Sequence, residues 1–155
     1  MTAQNSLVRF ARPSDCEQLA KLRQALWPEG SLEEHRREVE DILRGKTPGA
    51  MPLVEFVWEE GGALLGFIEA GLRSHADECD AARPVGYVEG WYVVDGCRRK
   101  GIGTALLRAA EDWSRRQGCK EIASDALIEN ELSQRAHEAL GFQVVGRNVL
   151  YRKKL

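Results

Sequence analysis

The chain has 155 residues, of which 43% are hydrophobic and 30% charged, and its formal net charge at pH 7 is −2. This composition is typical of a single folded domain spanning residues 1–155 and excludes an intrinsically disordered chain. The weak acidity argues against a nucleic-acid partner, and no apolar run approaches the roughly 18 residues that cross a membrane. The first 15 residues lack the apolar core of a signal peptide, so we expect an intracellular, cytoplasmic protein.

Charge is unevenly distributed along the sequence. Residues 52–95 hold nine acidic and two basic side chains, whereas residues 98–155 hold seven acidic and twelve basic ones. Such asymmetry is either an ordinary solvated surface or the mark of two ligands of opposite charge. The four cysteines and three histidines lack the spacing of a zinc site, and we expect no metal.

The first third of the chain predicts one strand and two helices. Residues 7–10 alternate as a short strand does. Ser14 and Glu17 have the spacing of a capping box and open a helix that ends near Trp27. A second box, formed by Ser31 and Glu34, opens a charged helix.

The middle of the chain predicts three strands. Residues 54–58 and 64–72 are expected to form a hairpin around Gly61-Gly62, and residues 74–84 a polar loop. Residues 86–94 are aromatic and β-branched at both alternating sets of positions, which predicts a strand covered on both faces.

The last third predicts two helices separated by a strand. An amphipathic helix follows Gly103 and stops at Gly118, residues 121–126 form a strand, and Asn130 or Ser133 opens a final helix. Residues 142–145 and 149–152 are expected to form a closing hairpin. The element order β-α-α-β-β-β-α-β-α-β-β predicts an α/β (α+β) fold whose central β-α-β unit brings two parallel strands together.

A basic turn with two glycines, residues 98–103, joins the strongest strand to the helix after it. A pyrophosphate is bound by converging backbone N–H groups at a helix N-terminus, which Gly101 and Gly103 allow to approach closely because they lack Cβ. Arg98, Arg99 and Lys100 add positive charge. The spacing is neither that of a P-loop nor that of the dinucleotide fingerprint, and the alternative is a glycine-rich turn on a basic surface.

The segment Arg98-Arg99-Lys100-Gly101-Ile102-Gly103 resembles the acetyl-CoA signature of the GNAT N-acetyltransferases, and Asn130, Ser133 and residues 137–142 resemble the second signature of that family. The resemblance implies the GNAT fold, a mixed central sheet with flanking helices whose parallel β-α-β unit binds acetyl-CoA as cosubstrate. His137 stands where the family often has a tyrosine that protonates the leaving thiolate, and it is either that acid or a packed helix residue. The residues that the resemblance assigns to acetyl-CoA are Trp91, Tyr92, Val93, Arg98, Arg99, Lys100, Gly101, Ile102, Gly103, Thr104, Asn130 and Ser133.

A second resemblance is spread over most of the chain. Residues 22–28, 33–36, 88–90, 123–125 and 136–142 are similar to one group of aminoglycoside 6′-N-acetyltransferases, in which His is also found at the position of His137. This resemblance implies acetyl transfer from acetyl-CoA to the 6′-amine of an aminoglycoside antibiotic by direct attack, and hence antibiotic resistance. Homodimers are common in the family, so we expect a homodimer.

Carboxylates in the acidic part of the chain fit such an acceptor. A polycationic amine needs carboxylates for its ammonium groups and an aromatic or apolar platform for its rings. Glu89 is the first candidate for the base that accepts the amine's proton and Asp125 the second, although both could instead bind ammonium groups or form salt bridges at the sheet edge. Trp27 and Glu69 are further candidate substrate contacts. The alternatives are a GNAT enzyme acting on a polyamine or protein N-terminus, or a non-catalytic acyl-CoA-binding module.

Overall fold

The computed structural model describes residues 7–47 and 51–155, and its centre is a five-stranded sheet with helices on both faces. The strands lie in chain order across the sheet, the first four antiparallel to their neighbours and the last two parallel. The mixed sheet and the parallel β-α-β unit that the sequence predicts are therefore confirmed. The elements are β1 (Val8–Phe10), α1 (Cys16–Leu26), α2 (Leu32–Leu43), β2 (Leu53–Glu60), β3 (Ala63–Arg73), β4 (Val85–Val93), α3 (Ile102–Arg116), β5 (Ile122–Ser124) and α4 (Glu131–Ala139).

Two hydrophobic clusters hold this layered arrangement together. On one face α3 packs its apolar stripe, which includes Leu106 and Trp113, against Ile68 and Val88 of the sheet. On the other face Leu19 of α1 and Val39 of α2 pack against Val57 and Phe67. Because both faces are covered, β4 is apolar at both alternating positions, as the sequence predicts.

Of the two predicted capping boxes, one is confirmed and one is wrong. The Ser31 hydroxyl accepts the N–H of Glu34 at 3.2 Å, and the Glu34 carboxylate accepts the N–H of Ser31 at 2.7 Å. Ahead of α1, however, Asp15 rather than Ser14 accepts a backbone N–H, that of Arg12. The Asp15 carboxylate also pairs with Arg9, which makes it a stronger acceptor than a serine hydroxyl.

A β-bulge in β4 gives the sheet its functional edge. Glu69 of β3 lies opposite Gly90 and Ala70 lies opposite Val88, so Glu89 is an extra residue with no partner across the ladder. The parallel pairing of β4 with β5 covers only three residue pairs, from Gly86 to Val88 on β4. Beyond the bulge, the edge of β4 that faces β5 has no strand partner among the described residues.

The predicted closing hairpin is wrong for the single chain. Residues 142–155 contain no strand, and Leu150 and Tyr151 are each 92% exposed. An alternating sequence favours an extended backbone, but a strand also needs a neighbouring backbone with which to pair. The segment therefore has the composition of a strand without a partner strand in its own chain.

No helix in the described ranges is both long and apolar enough to span a membrane. Within the same ranges, no three His, Cys, Asp or Glu side chains are grouped so as to hold a metal ion.

Candidate active site

The two candidate acidic residues on β4 and after β5 belong to one chain of contacts. Both oxygens of the Glu89 carboxylate accept hydrogen bonds from the Arg73 guanidinium, at 2.9 and 2.7 Å. The same guanidinium lies 3.4 Å from the centre of the Tyr87 ring, and the Tyr87 hydroxyl donates to Asp125 at 2.7 Å. The structure thus brings Glu89 and Asp125 together through Arg73 and Tyr87.

Tyr87 is the residue in this chain of contacts whose side-chain pKa is shifted most strongly. Its side chain is buried beneath Arg73. Burial and the hydrogen bond to Asp125 raise the pKa of the Tyr87 phenol far above its ordinary value. The phenol therefore stays protonated at neutral pH and acts as a fixed donor to Asp125.

Trp27 packs against the glycine of the bulge. It follows α1, and its indole lies so close to Gly90 that a Cβ there would be 2.4 Å from the ring. The Trp27 carbonyl is hydrogen-bonded to the His35 ring at 2.9 Å, and the Arg23 guanidinium lies 4.8 Å from the centre of the indole. Trp27 is half-buried and packs against the hydrophobic cluster beneath α1 and α2.

Glu69 lies in a buried ion cluster rather than on an open surface. Its side chain is 8% exposed and pairs with Arg23, which also binds Glu55 at 2.7 Å and Glu38 at 2.6 Å. Burial and the neighbouring Glu69 carboxylate raise the pKa of Glu55 well above its ordinary range. A substrate ammonium group that approached Glu69 would have to share it with Arg23.

The N-terminus of α3 is shaped for an anion. Gly101 precedes the helix with φ = 83°, a left-handed conformation that favours glycine, and Arg99 has φ = 60°. The first turn holds no acidic side chain, and within the described part of the chain no side chain caps it. Its leading N–H groups are therefore available to a phosphate, which fits the pyrophosphate of a CoA molecule.

Side chains of this basic turn differ in their surroundings. Arg99, Lys100 and Gly101 are exposed and Thr104 is half-buried, whereas Ile102 packs in the core. Arg98 folds back, donating to the Val93 carbonyl at 3.0 Å and pairing with Asp95 at 2.8 Å.

The aromatic residues of β4 flank this turn. A Cβ at Gly103 would lie 3.2 Å from the Trp91 indole, so the glycine admits that ring against α3. Tyr92 packs on the opposite face of the sheet, with the α1–α2 cluster. The Arg98 guanidinium lies 5.7 Å from the centre of the Tyr92 ring.

His137 lies on α4 with its ring held at both nitrogens. Nδ1 lies 2.7 Å from the Ser133 carbonyl, which only accepts hydrogen bonds, so Nδ1 carries the proton. Nε2 lies 2.8 Å from the Ser124 hydroxyl, and the ring meets Trp91 edge-on at 5.4 Å. In the neutral imidazole, Ser124 is therefore the donor and Nε2 the acceptor.

The Asn130 side chain has a local role at the start of α4. Its Oδ1 accepts the N–H of Ser133 at 3.1 Å, which makes Asn130 the N-cap, as one of the two predicted alternatives states.

Sequence reasoning missed three residues at this site: Arg73, Tyr87 and Ser124. Arg73 carries a usable signal, because it is one of only two basic residues in the acidic segment 52–95. Tyr87 and Ser124 carry none, because an aromatic residue in a strand and a serine near its end occur in most sheets.

Comparisons with known proteins agree with this geometry. Residues 16–142 match the model of the acetyltransferase (GNAT) family. Aminoglycoside N(6′)-acetyltransferase type 1 of Klebsiella aerogenes is 41% identical over 149 residues, covering 96% of this chain and 97% of the relative. The enzyme of that name from Serratia marcescens is 42% identical over 137 residues, covering 86% and 89%.

Solved structures lead to the same group. AAC(6′)-Iy in complex with the bisubstrate analogue CoA-S-monomethyl-acetylneamine superposes with a TM-score of 0.85 at 33% identity, over 96% of this chain and 97% of that one. AAC(6′)-IG from Acinetobacter haemolyticus superposes with a TM-score of 0.84 at 30% identity, over 96% and 98%. With its fold, its anion-binding helix and these relatives, the chain belongs to the GNAT acetyltransferase family and, within it, to the group of the aminoglycoside 6′-N-acetyltransferases.

Proposed function

We propose that this protein transfers the acetyl group of acetyl-CoA to the 6′-amine of an aminoglycoside antibiotic and so confers resistance in the cytoplasm. The observation that carries the proposal is the convergence of Glu89 and Asp125 beside the gap between β4 and β5. Two carboxylates next to a half-buried indole match the charge and ring structure of an aminoglycoside. The relatives named above are enzymes of this activity.

Acetyl-CoA would lie across the N-terminus of α3. The N–H groups of residues 101–104 would hold its pyrophosphate, with Arg99 and Lys100 supplying positive charge. Backbone groups of Trp91 to Val93 on the open edge of β4 would bind the pantetheine arm and polarise the thioester carbonyl. When bound, the cosubstrate supplies the acetyl thioester whose C–S bond is broken.

Proton removal from the acceptor is the first chemical requirement. An ammonium group is not a nucleophile, so a base must take a proton before the amine attacks the acetyl carbon directly. We assign this role to Glu89, which the bulge places at the point where the two strands separate. Asp125, fixed by the Tyr87 hydroxyl, would bind a second ammonium group of the acceptor.

His137 is our candidate for the proton that the departing thiolate needs. Since Nδ1 is held by the Ser133 carbonyl, only Nε2 can exchange a proton with the site, and it faces the Ser124 hydroxyl. To act as the acid, His137 would have to carry a proton on both nitrogens. Nε2–H would then donate to Ser124 Oγ and the Ser124 hydroxyl proton would pass to the thiolate, which leaves the neutral imidazole described above. If this relay operates, Ser124→Ala lowers kcat with little effect on KM, whereas unchanged kcat would assign His137 to packing alone.

We further propose that the protein is a homodimer that pairs through residues 142–155. Val149, Leu150 and Tyr151 are 74%, 92% and 92% exposed, which is unusual for three consecutive large apolar side chains. β5 is an edge strand with only three paired residues, and a second copy could supply the missing strand. Light scattering should give twice the 17.3 kDa chain mass, and Leu150→Asp should reduce it, whereas a monomeric wild-type protein would contradict the proposal.

A free-thiol assay with acetyl-CoA tests the main proposal. Kanamycin or tobramycin should release CoA, whereas spermidine and a peptide with a free N-terminus should release little. Faster turnover of spermidine or the peptide would favour a GNAT enzyme for another amine. Binding of acetyl-CoA without turnover of any amine would indicate a non-catalytic acyl-CoA-binding module.

A further inference from the structure

Arg73 is a positively charged residue within the site that we propose for a positively charged acceptor. It is the last residue of β3, and its guanidinium forms a bidentate pair with Glu89. Its flat face covers the Tyr87 ring, whose hydroxyl is bonded to Asp125. The Arg73 guanidinium therefore already acts on Glu89 and Asp125, the two carboxylates that the proposed function assigns to ammonium groups of the acceptor.

This pair is also the wall of a cleft of ligand size. An open surface depression of about 400 Å³ lies beside it, lined by Met51, Leu72, Arg73, Ser74, His75 and Glu89. Ligand clefts commonly have volumes of roughly 300–1,000 Å³. A ligand in this cleft would reach Glu89 at the point where Arg73 now binds it.

The arrangement permits Arg73 to leave Glu89 while its backbone stays in place. The backbone of Arg73 is fixed opposite Val85 in the sheet, but its side chain is 44% exposed. An exposed ion pair contributes little stability because water solvates both partners when they part. A multiply charged amine that also contacts Asp125 would therefore compete for Glu89 without disrupting the fold.

We propose that Arg73 occupies the ammonium subsite of Glu89 as an internal competitor, so that an acceptor binds by exchanging its own cation for the Arg73 guanidinium. Arg73 is then a specificity-determining residue. An amine with one charge gains too little to displace it, whereas a polycation gains further contacts with Asp125. The inference rests on the proposed function, because it takes Glu89 as an acceptor contact.

A double-mutant cycle on kanamycin affinity, measured by calorimetry without acetyl-CoA, tests the exchange. Arg73→Gln should lower the Kd by roughly two- to fivefold, the range that an exposed ion pair supplies. In a Glu89→Gln background, Arg73 has no carboxylate to occupy at this position, so the same substitution should leave the Kd unchanged.

The control is Arg83→Gln, which removes one positive charge from the same acidic segment at a side chain that is 54% exposed and pairs only distantly with Asp80. The proposal would be overturned if Arg73→Gln lowered the Kd equally in the wild-type and Glu89→Gln backgrounds. It would also be overturned if Arg83→Gln lowered the Kd as much as Arg73→Gln does, because the effect would then come from the net charge alone. A Kd that is unchanged or rises in Arg73→Gln would also overturn it, because Arg73 would then only orient Glu89. The cycle measures binding and not turnover. A wild-type protein that bound kanamycin without acetylating it would therefore contradict the proposed function, while the Kd values of the cycle could still be compared.

Discussion

Glu89 owes its position to one additional residue in β4. The bulge opposite Glu69 and Ala70 leaves Glu89 as an extra residue without a partner across the ladder, and its carboxylate pairs with Arg73. The next residue must be small, because a side chain at Gly90 would clash with the Trp27 indole.

Glu89 and Asp125 should affect different kinetic constants. Glu89→Gln removes the proposed base and should lower kcat by about 100-fold or more, whereas Asp125→Asn removes a charge contact and should mainly raise KM. Steady-state kinetics with kanamycin measures both. If both constants stayed at their wild-type values in both variants, the acceptor site would lie elsewhere.

Asp15 gives the fold a measurable pH dependence. Burial raises its pKa, but hydrogen bonds from Arg9 and from the Arg12 N–H outweigh burial and leave the pKa below its ordinary value. A lowered folded-state pKa stabilises the protein above the unfolded-state pKa of about 4, and that stability is lost as pH falls through the lowered value.

Asp15→Asn should therefore cost roughly 1.5–3 kcal/mol at pH 7, with the difference from wild type shrinking below about pH 4. Urea unfolding at a series of pH values measures it. A difference that stayed constant down to pH 2 would mean that the Asp15 charge is not its source.

At the scale of elements, the two helices of the N-terminal third offer a matched pair of serines. Ser31 caps α2 through its hydroxyl, while Ser14, which has the same Ser-x-x-Glu spacing, caps no helix because the Asp15 carboxylate accepts the backbone N–H ahead of α1. Ser31→Ala should destabilise the protein by about 1 kcal/mol and Ser14→Ala by much less. Chemical denaturation compares them, and equal losses would show that the cap at Ser31 has no special weight.

Elements were predictable where the signal is local. The Ser31 box, the stop at Gly118 (φ = 86°) and the apolar β4 each follow from a few neighbouring residues. The closing hairpin failed because pairing depends on a partner strand, which a periodic sequence does not specify.

Of the candidate site, the sequence displays only the carboxylates and the glycine-containing basic turn. Glu89, Asp125 and Gly101 carry charge or backbone freedom that a sequence displays. Arg73 and Tyr87 matter because the fold stacks one on the other, a contact between residues 14 positions apart that no motif encodes.

At the scale of the molecule, the near-neutral net charge of −2 conceals two regions of opposite sign. The basic turn before α3 offers N–H groups and cations to an anion, while Glu89 lines a cleft together with Arg73, and Asp125 is held by the Tyr87 hydroxyl. The pairing of β4 with β5 ends at Val88, between these two regions in the sequence. In the proposed reaction, a thioester bound at the basic region would meet an amine bound at the carboxylates.

The proposed reaction acetylates one particular amine, and two aminoglycosides distinguish that amine from the others on the acceptor. Neomycin carries an amine at the 6′ position where paromomycin carries a hydroxyl, and the two are otherwise the same. With acetyl-CoA and purified protein, neomycin should release free CoA thiol and give a product acetylated at the 6′ nitrogen, while paromomycin should release almost none. Equal thiol release from both compounds, or from neither, would contradict 6′-N-acetylation by this protein.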